Sequence, residues 1–598
     1  MSDGDGAAYC YTHRQGTTVL YRGELVRVRR LDDLPQPRPG LPVISLVPYA
    51  QIRERGFLTQ DGDEPILSLV VSSVEEVDVA TLPDVPVTVV EGPVVEPSDA
   101  EFEDVVQRII DDEIRRGEGS NFLISRRSQL RLADFSADVA HTILRRLARN
   151  EANAYLTFCF SDGGDSWFIG ASPERHLTHR DGTVWMNPIC GTLPRPALTG
   201  KDALLEFLTD AKEVNELFQV VDEELKIMSR ISSAGGVIHG PFLKEMGEVV
   251  HTEYVLEGAA TLPPIAAFRE SMFAPTMVGS PLENAARIIH KYEPESRRYY
   301  SSAILLHEVD DAGRETLDSA ITIRTMEVSA QGVAQIRSGA SVVRDSVPAK
   351  ERAEVTAKAA GMLRALGGGE PGGPMLEGIV DDEVRAVLAG RNDVLSRFWM
   401  DAQGESHTVE ALVGRSVLIV DNEDQFTEML GHIIERLGMK VTMARHTDIL
   451  DVDGHDMVLV GPGPGDPNDL DHPKMATIHR LTRELLASGK PFLSVCLGHQ
   501  VLCRSLGLAV EPHDPPLQGV QQVVDLFGVA EPVGFYNTFF GRVPAVAPEG
   551  VEVSAWPDGR VVAVRADRFV GFQFHVESVL TRNCTSILRG ALEHLLVR

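Results

Sequence analysis

Seven residues, Ser494-Val495-Cys496-Leu497-Gly498-His499-Gln500, restrict the fold of this chain more than any others. The run from Lys490 reads as a short lead-in ending in a buried strand at Val495. Gly498 permits a sharp turn, and helical periodicity follows from Gln500 to Leu506. A cysteine at such a turn has backbone N–H groups and a helix N-terminus beside it, which can lower a thiol pKa and stabilise an oxyanion. Further on, Gly571-Phe572-Gln573-Phe574-His575-Val576-Glu577-Ser578 places His575 and Glu577 two apart, on one face of an extended segment. One can act as a base while the other orients it, as in a Cys-His-acid triad. A single cysteine is more often a small buried hydrophobe; the glycine turn and the distant His-x-Glu reverse that reading. Around this motif, buried-type strands at Val417–Val420 and Met457–Val460 alternate with helical segments at Thr427–Leu437 and Lys474–Ala487. That is the signature of a parallel α/β sheet.

The 598 residues exceed one ordinary core, so more domains are expected. The clearest boundary is Gly367-Gly368-Gly369-Glu370-Pro371-Gly372-Gly373-Pro374. It divides a first domain, 1–366, from a connector, 367–412, and a last domain, 413–598. The connector carries one expected helix, Asp382 to Met400. In the first domain, strands are expected at Leu41–Pro48, Pro65–Val71, Val85–Val90, Tyr155–Phe160, Trp167–Ala171, Val184–Ile189, Val249–Leu256, Tyr300–Glu308, Ala320–Ser329 and Val333–Val343. Helices are expected at Ala100–Gly117 (capped by Ser98 and Glu101), His141–Asn150, Leu204–Met228, Ile265–Met272, Leu282–His290 and Ala349–Leu366. This grouping predicts an α+β domain.

A net charge of -30 disfavours nonspecific nucleic-acid binding, and no basic stripe with interleaved aromatics is present. Six cysteines without metal-ligand spacing suit a reducing cytoplasm. Met1 to Tyr9 has no signal-peptide pattern, and no apolar run reaches membrane-spanning length.

Glu213 and Glu216, and Glu351 and Glu354, each stand three apart on one helix face. Facing one another they would suit Mg²⁺; taken singly, such pairs are usually solvated. Arg324 falls in an otherwise apolar strand and needs an anion or an ion pair. Gly339 permits close backbone approach to a carboxylate, and Thr192, Tyr300 and Lys358 can donate hydrogen bonds. His251 is an acid-base group, a substrate donor or a structural histidine.

The C-terminal motifs resemble a class I glutamine amidotransferase. Val420-Asp421-Asn422-Glu423-Asp424-Gln425-Phe426-Thr427 is similar to that family's first strand and turn. Gly461-Pro462-Gly463-Pro464-Gly465-Asp466-Pro467 is similar to its oxyanion loop. The resemblance implies a Cys496-His575-Glu577 glutaminase in which Gly463 and Gln500 meet glutamine. Val576 stands where proline is usual.

Residues 120 to 366 resemble the chorismate-utilising family that includes anthranilate synthase. The matching segments are Gly170-Ala171-Ser172-Pro173-Glu174, Asn187 to Thr192, Asp210-Ala211-Lys212-Glu213-Val214-Asn215-Glu216, Val249-Val250-His251, Ile321 to Thr325, and Ser338 to Ser346 running on to Lys358. The resemblance implies that Glu216 and Glu354 bind Mg²⁺ with help from Glu213 and Glu351, and that His251 lies near the ring carbon losing hydroxyl. Arg324, Tyr300 and the backbone at Gly339 would hold the enolpyruvyl carboxylate. The implied architecture is an α+β chorismate-binding domain of antiparallel sheets with helices, followed by an α/β class I glutamine amidotransferase domain. The joint reaction is amination of chorismate at ring carbon 2 with loss of the 4-hydroxyl. Departures from anthranilate synthases at Ile189-Cys190, Leu217, Thr252, Leu282 and Ser302, with the run Phe273 to Gly279, resemble instead the phenazine-pathway enzyme that stops at 2-amino-2-deoxyisochorismate. The alternative is full anthranilate synthesis with pyruvate release. The related 4-amino-4-deoxychorismate synthases typically carry a lysine near the Gly191-Thr192 region, where this chain offers Cys190 instead, which argues against that third outcome. By resemblance the protein is a homodimer, with or without exchanged domains, and no tryptophan feedback site is evident.

Overall fold

A computed structural model describes residues 7–60, 62–233, 235–368, 372–403, 407–544 and 548–597. Gly369, Glu370 and Pro371 of the expected boundary, and the start of the N-terminal segment, lie outside them.

The first part of the chain builds a hydrogen-bonded network of 18 strands between Ala8 and Val343, paired antiparallel. Its long ladder joins Asn121–Leu132 to Val333–Val343, and Leu156–Ser161 and Ser166–Ser172 form the expected hairpin. Ala8–Arg14 and Thr17–Val28 pair with each other at the N-terminus, where the sequence carries no clean alternation. The third expected strand starts later, at Val89, and runs to Glu96 with every residue exposed. Asp99–Asp112 is a helix with the expected capping box at Ser98 and Glu101, ending in a short 3₁₀ turn at Ile114–Arg116.

Three expectations are corrected. The segment Leu204–Met228 is two helices, Lys201–Thr209 and Ala211–Ile231. Asp210 interrupts them because its carboxylate caps the N–H groups of Lys212 and Glu213. The strand expected across Ala320–Ser329 breaks into Glu315–Ile321 and Thr325–Ser329. Arg324 sits at the break with φ +50°, so its side chain leaves the sheet instead of lying in it. Asp382–Met400 also divides, into Asp382–Gly390, a 3₁₀ turn and Arg397–Met400.

The C-terminal part holds a seven-stranded sheet. Lys440–Arg445, Ser416–Asp421, Met457–Val460, Phe492–Val495 and Phe569–Phe572 run parallel in that spatial order; Val561–Ala566 and Glu552–Ala555 complete it antiparallel. Continuous apolar strands such as Met457–Val460 are buried on both faces, as the parallel pattern requires.

Helix Ala211–Ile231 lies between the two parts. From Glu216 to Met228 every residue is buried, including Asp222, Glu223, Glu224 and Lys226. Its acids look like a solvated face in sequence; instead the C-terminal part covers Asp222, which accepts from Tyr536 and Ser578, while Glu223 accepts from Ser280 and the Leu282 N–H of the first part. Leu217, Phe218, Val221 and Leu225 of this helix share one apolar core with Phe426, Met429 and Val579. Full burial of such side chains contributes roughly 1.5–3 kcal/mol each. The connector also packs within the same chain. Lys201 pairs with Asp381, Tyr254 donates to Asn392, and Ser396 N–H donates to the Val579 carbonyl. No helix among the described residues is long and apolar enough to cross a membrane.

Candidate active sites

Strand Phe492–Val495 enters the centre of the C-terminal sheet and helix Leu497–Ser505 leaves it, with Cys496 alone at the junction. Cys496 takes φ +51°, ψ -106°, a strained backbone that lifts its side chain clear of both elements. The close packing of this turn requires Gly498, where a Cβ would stand 2.3 Å from the Val460 carbonyl oxygen. His575 and Glu577 lie in a turn following strand Phe569–Phe572, not in an extended segment. Their pairing survives, with Nδ1 of His575 donating to Oε1 of Glu577 over 2.8 Å. Burial lowers the His575 pKa, but charge on Cys496 and Glu577 and their hydrogen bonds more than reverse this and raise it to about 10. An imidazolium held between a sulfur and a carboxylate is the arrangement of an activated thiol nucleophile.

The cavity at Cys496 is lined by Gly463, Gln500 and His575 from the C-terminal part, and by Gly117, Ser120, Ser280 and Pro281 from the first. Gly463 is confined by the backbone of Asn422, with room for no side chain. Gln500 Nε2 donates to the Phe539 carbonyl, 2.9 Å away. The loop after Gly463 is held from the first part, since Gly465 N–H donates to the Gly117 carbonyl at 3.0 Å.

A second cavity opens in the first part. It gathers Thr192, Glu213, Glu216, His251, Tyr300, Arg324, Gly339, Glu354 and Lys358. Glu351 stands behind this lining, buried. Arg324 reaches in from its left-handed backbone turn, and its guanidinium has no hydrogen bond or ion pair among the described residues. The hydroxyl of Tyr300 is buried and likewise unpartnered. A Cβ at Gly339 would come within 3.0 Å of that hydroxyl and 2.8 Å of the Ile124 carbonyl oxygen. A half-buried cation, a free donor and a bare backbone are the groups that a carboxylate needs.

Two further groups take opposite protonation states. Nδ1 of His251 lies 2.8 Å from the Gly191 carbonyl, which fixes the proton there and leaves Nε2 as a buried, unpartnered acceptor. Burial, then Arg324, lowers the His251 pKa to about 3, so it is neutral and no proton donor. Glu174, whose carboxylate accepts from Thr276 Oγ1 at 2.8 Å, is raised by burial to about 8. It is therefore a neutral acid at pH 7, and only burial, which sequence does not display, distinguishes it from other glutamates. Paired titratable groups driven apart in this way mark acid and base roles.

The four acids do not close on one point. Lys212 Nζ stands among them, 3.7 Å from Glu213, 3.7 Å from Glu216 and 3.8 Å from Glu351, while Lys358 pairs with Glu354 at 2.7 Å. Among the described residues, no group of three or more His, Cys, Asp or Glu is placed to hold a metal ion. The donor chemistry nonetheless suits a hard divalent cation. Burial raises Glu213, Glu351 and Glu216, the last to about 7, against the pull of Lys212, while Lys358 holds Glu354 below its ordinary value; all four offer the carboxylate oxygens such an ion takes.

A thiol nucleophile with a His-Glu pair on a parallel sheet, joined to a carboxylate-binding cavity on an antiparallel one, defines a glutamine amidotransferase fused to a chorismate-type enzyme. Comparison with known proteins agrees. Residues 60–364 match the family of chorismate binding enzymes, and residues 418–595 match class-I glutamine amidotransferases. A phenazine-specific anthranilate synthase of Pseudomonas fluorescens is 42% identical over 582 residues, covering 94% of this chain and 90% of its own. That of Pseudomonas chlororaphis is 41% identical over 594 residues, covering 96% and 92%. The crystal structure of anthranilate synthase component I from Streptococcus pneumoniae aligns at 24% identity and a TM-score of 0.46, covering 59% of this chain and 89% of that one. The chain belongs to the anthranilate synthase family of chorismate-binding enzymes fused to a class I amidotransferase. It is an enzyme of chorismate and glutamine, with glutamine-dependent amination of chorismate as its general chemistry.

Proposed function

We propose that the protein is a 2-amino-2-deoxyisochorismate synthase. Ammonia freed at Cys496 attacks ring carbon 2 of chorismate as the 4-hydroxyl leaves, and the enolpyruvyl group is retained. The observation that carries this reading is one chain holding both an activated thiol and a cavity with a free Arg324 and a protonated Glu174. Cys496 attacks the glutamine amide, with N–H groups near Gly463 facing the oxyanion and Gln500 against the substrate. In the other cavity, Arg324, Tyr300 and the backbone at Gly339 bind the enolpyruvyl carboxylate, with Thr192 and Lys358 beside them. Nε2 of His251 accepts from the 4-hydroxyl and orients it. Glu174 gives its proton to the departing oxygen, which leaves as water. Mg²⁺, held by Glu216 and Glu354 with Glu213 and Glu351 assisting, would neutralise the ring carboxylate.

Two paired segments border both cavities. Leu123, Thr276 and Met277 line the chorismate side; Gly119, Ser120, Ser280 and Pro281 line the other. Between them Gly279 pairs with Phe122 and Ser280 with Asn121. Ammonia crossing beside this short ladder stays out of bulk water, where it would be protonated. The connector 367–412 is then a tether between domains 1–366 and 413–598 and no part of the route.

Stopping before pyruvate elimination rests on the resemblance of the Phe273–Gly279 run to the phenazine-pathway enzyme, a run that sets Thr276 against Glu174; the phenazine-specific relatives are themselves named anthranilate synthases, which keeps pyruvate release as the second reading. Cys190 and Met277 also reach the cavity, whereas Leu217, Leu282 and Ser302 do not line it. A cytoplasmic homodimer serving secondary metabolism completes the reading. Replacing Cys496 by Ala should abolish glutamine-driven synthesis and spare ammonia-driven synthesis; Glu354→Gln should stop both. Loss of both activities in Cys496→Ala, with the fold intact by circular dichroism, would contradict the assignment.

A further inference from the structure

The imidazole of His575 is packed between two rings. Phe426 lies 4.3 Å from it, centroid to centroid, and Tyr536 stands edge-on at 5.4 Å. Both rings belong to the C-terminal part, yet each is held by a charge from helix Ala211–Ile231 of the first part. The Lys226 ammonium sits 3.6 Å over the Phe426 ring, fully buried, and donates to Asp424 at 2.9 Å and Glu223 at 2.6 Å. The carboxylate of Asp222 accepts from the Tyr536 hydroxyl at 2.7 Å, from Ser578 Oγ at 2.5 Å and from Val579 N–H at 2.8 Å. Ser578 follows Glu577 directly. The carbonyl of Tyr536 in turn accepts from Cys496 Sγ, 3.7 Å away. Hydrogen-bonded charge fixes a direction that apolar packing does not.

We infer that this helix is a working part of the glutaminase, with Asp222 and Lys226 as positioning residues that hold His575 through Tyr536 and Phe426. The inference rests on the glutaminase reading of Cys496. The same helix carries Glu213 and Glu216 into the chorismate cavity, and Glu216 stands six residues before Asp222, about 9 Å along the axis.

Asp222→Asn and Lys226→Met, made in the full-length chain, test this. With saturating chorismate and Mg²⁺, the glutamine-driven kcat should fall by about 100-fold in either variant, the scale of a small misplacement of a catalytic group, with KM for glutamine little changed. Ammonia-driven synthesis in the same preparations should stay near the wild-type rate, which also shows that the variants fold. Alkylation of Cys496 by iodoacetamide, corrected with Cys496→Ala, should slow in parallel. Equal loss with both nitrogen sources would assign these residues a purely structural role. An unchanged glutamine-driven kcat would overturn the inference. A wild-type enzyme active only with ammonia would instead overturn the glutaminase reading beneath it.

Discussion

Glu174 and His251 occupy the same cavity with the usual order of their pKa values inverted. The carboxyl has its pKa raised to about 8 and the imidazole lowered to about 3, each by burial first. The raised Glu174 favours its protonated form in the folded protein. Its contribution to stability is complete below the ordinary value of 4.5 and is lost as pH climbs through about 8. Activity should follow the same proton. Ammonia-driven synthesis, expressed per unprotonated ammonia, should be level below pH 7 and fall above about 8. Glu174→Gln should abolish that fall and lower the rate by about 10²–10⁴-fold, the usual worth of a general acid. A pH profile unchanged by the substitution would exclude Glu174 as the acid. His575 shows how a residue type and its spacing make a role legible: a His-x-Glu spacing identifies its partner at once. Glu174, by contrast, became legible only when burial was known, because one glutamate looks like another until its solvent is removed.

At the scale of elements, legibility followed local pattern. The strand-turn-helix at Cys496, the capping box at Ser98 and the ladder strand Val333–Val343 follow from periodicity and turn chemistry, and the structure has them. The errors came where a single residue overrides periodicity. Asp210 caps a new helix inside a helical pattern, and Arg324 takes a left-handed turn inside a strand pattern. The buried acids of helix Ala211–Ile231 were opaque for another reason. Tyr536 and Ser578, the partners of Asp222, lie more than 300 residues away, as Asp424, the partner of Lys226, lies about 200 away, and no local rule supplies them. The turn at Cys496 offers an element-scale test. Gly498→Ala puts a Cβ 2.3 Å from the Val460 carbonyl oxygen, backbone that cannot yield. Glutamine-driven synthesis should be lost and the C-terminal sheet destabilised by about 1–3 kcal/mol, the cost of overpacking, in denaturant unfolding. Wild-type glutaminase activity in this variant would show that the turn tolerates a shift.

For the whole molecule, the two half-reactions meet across one apolar core, one buried helix and one short ladder between cavities. The connector reinforces this, since Trp399 Nε1 donates to the Glu577 carbonyl at 2.9 Å. Such an arrangement predicts that chorismate accelerates glutamine hydrolysis. Glutaminase rates measured with and without chorismate should differ, and equal rates would mean that the shared core transmits nothing. The central claim concerns the product. Purified enzyme incubated with chorismate, Mg²⁺ and glutamine should yield, by liquid chromatography and mass spectrometry, a non-aromatic aminated product that keeps the three-carbon enolpyruvyl unit, with no pyruvate released and the amine at ring carbon 2 by NMR. Fluorescent anthranilate with equimolar pyruvate would contradict the account and make the protein a full anthranilate synthase.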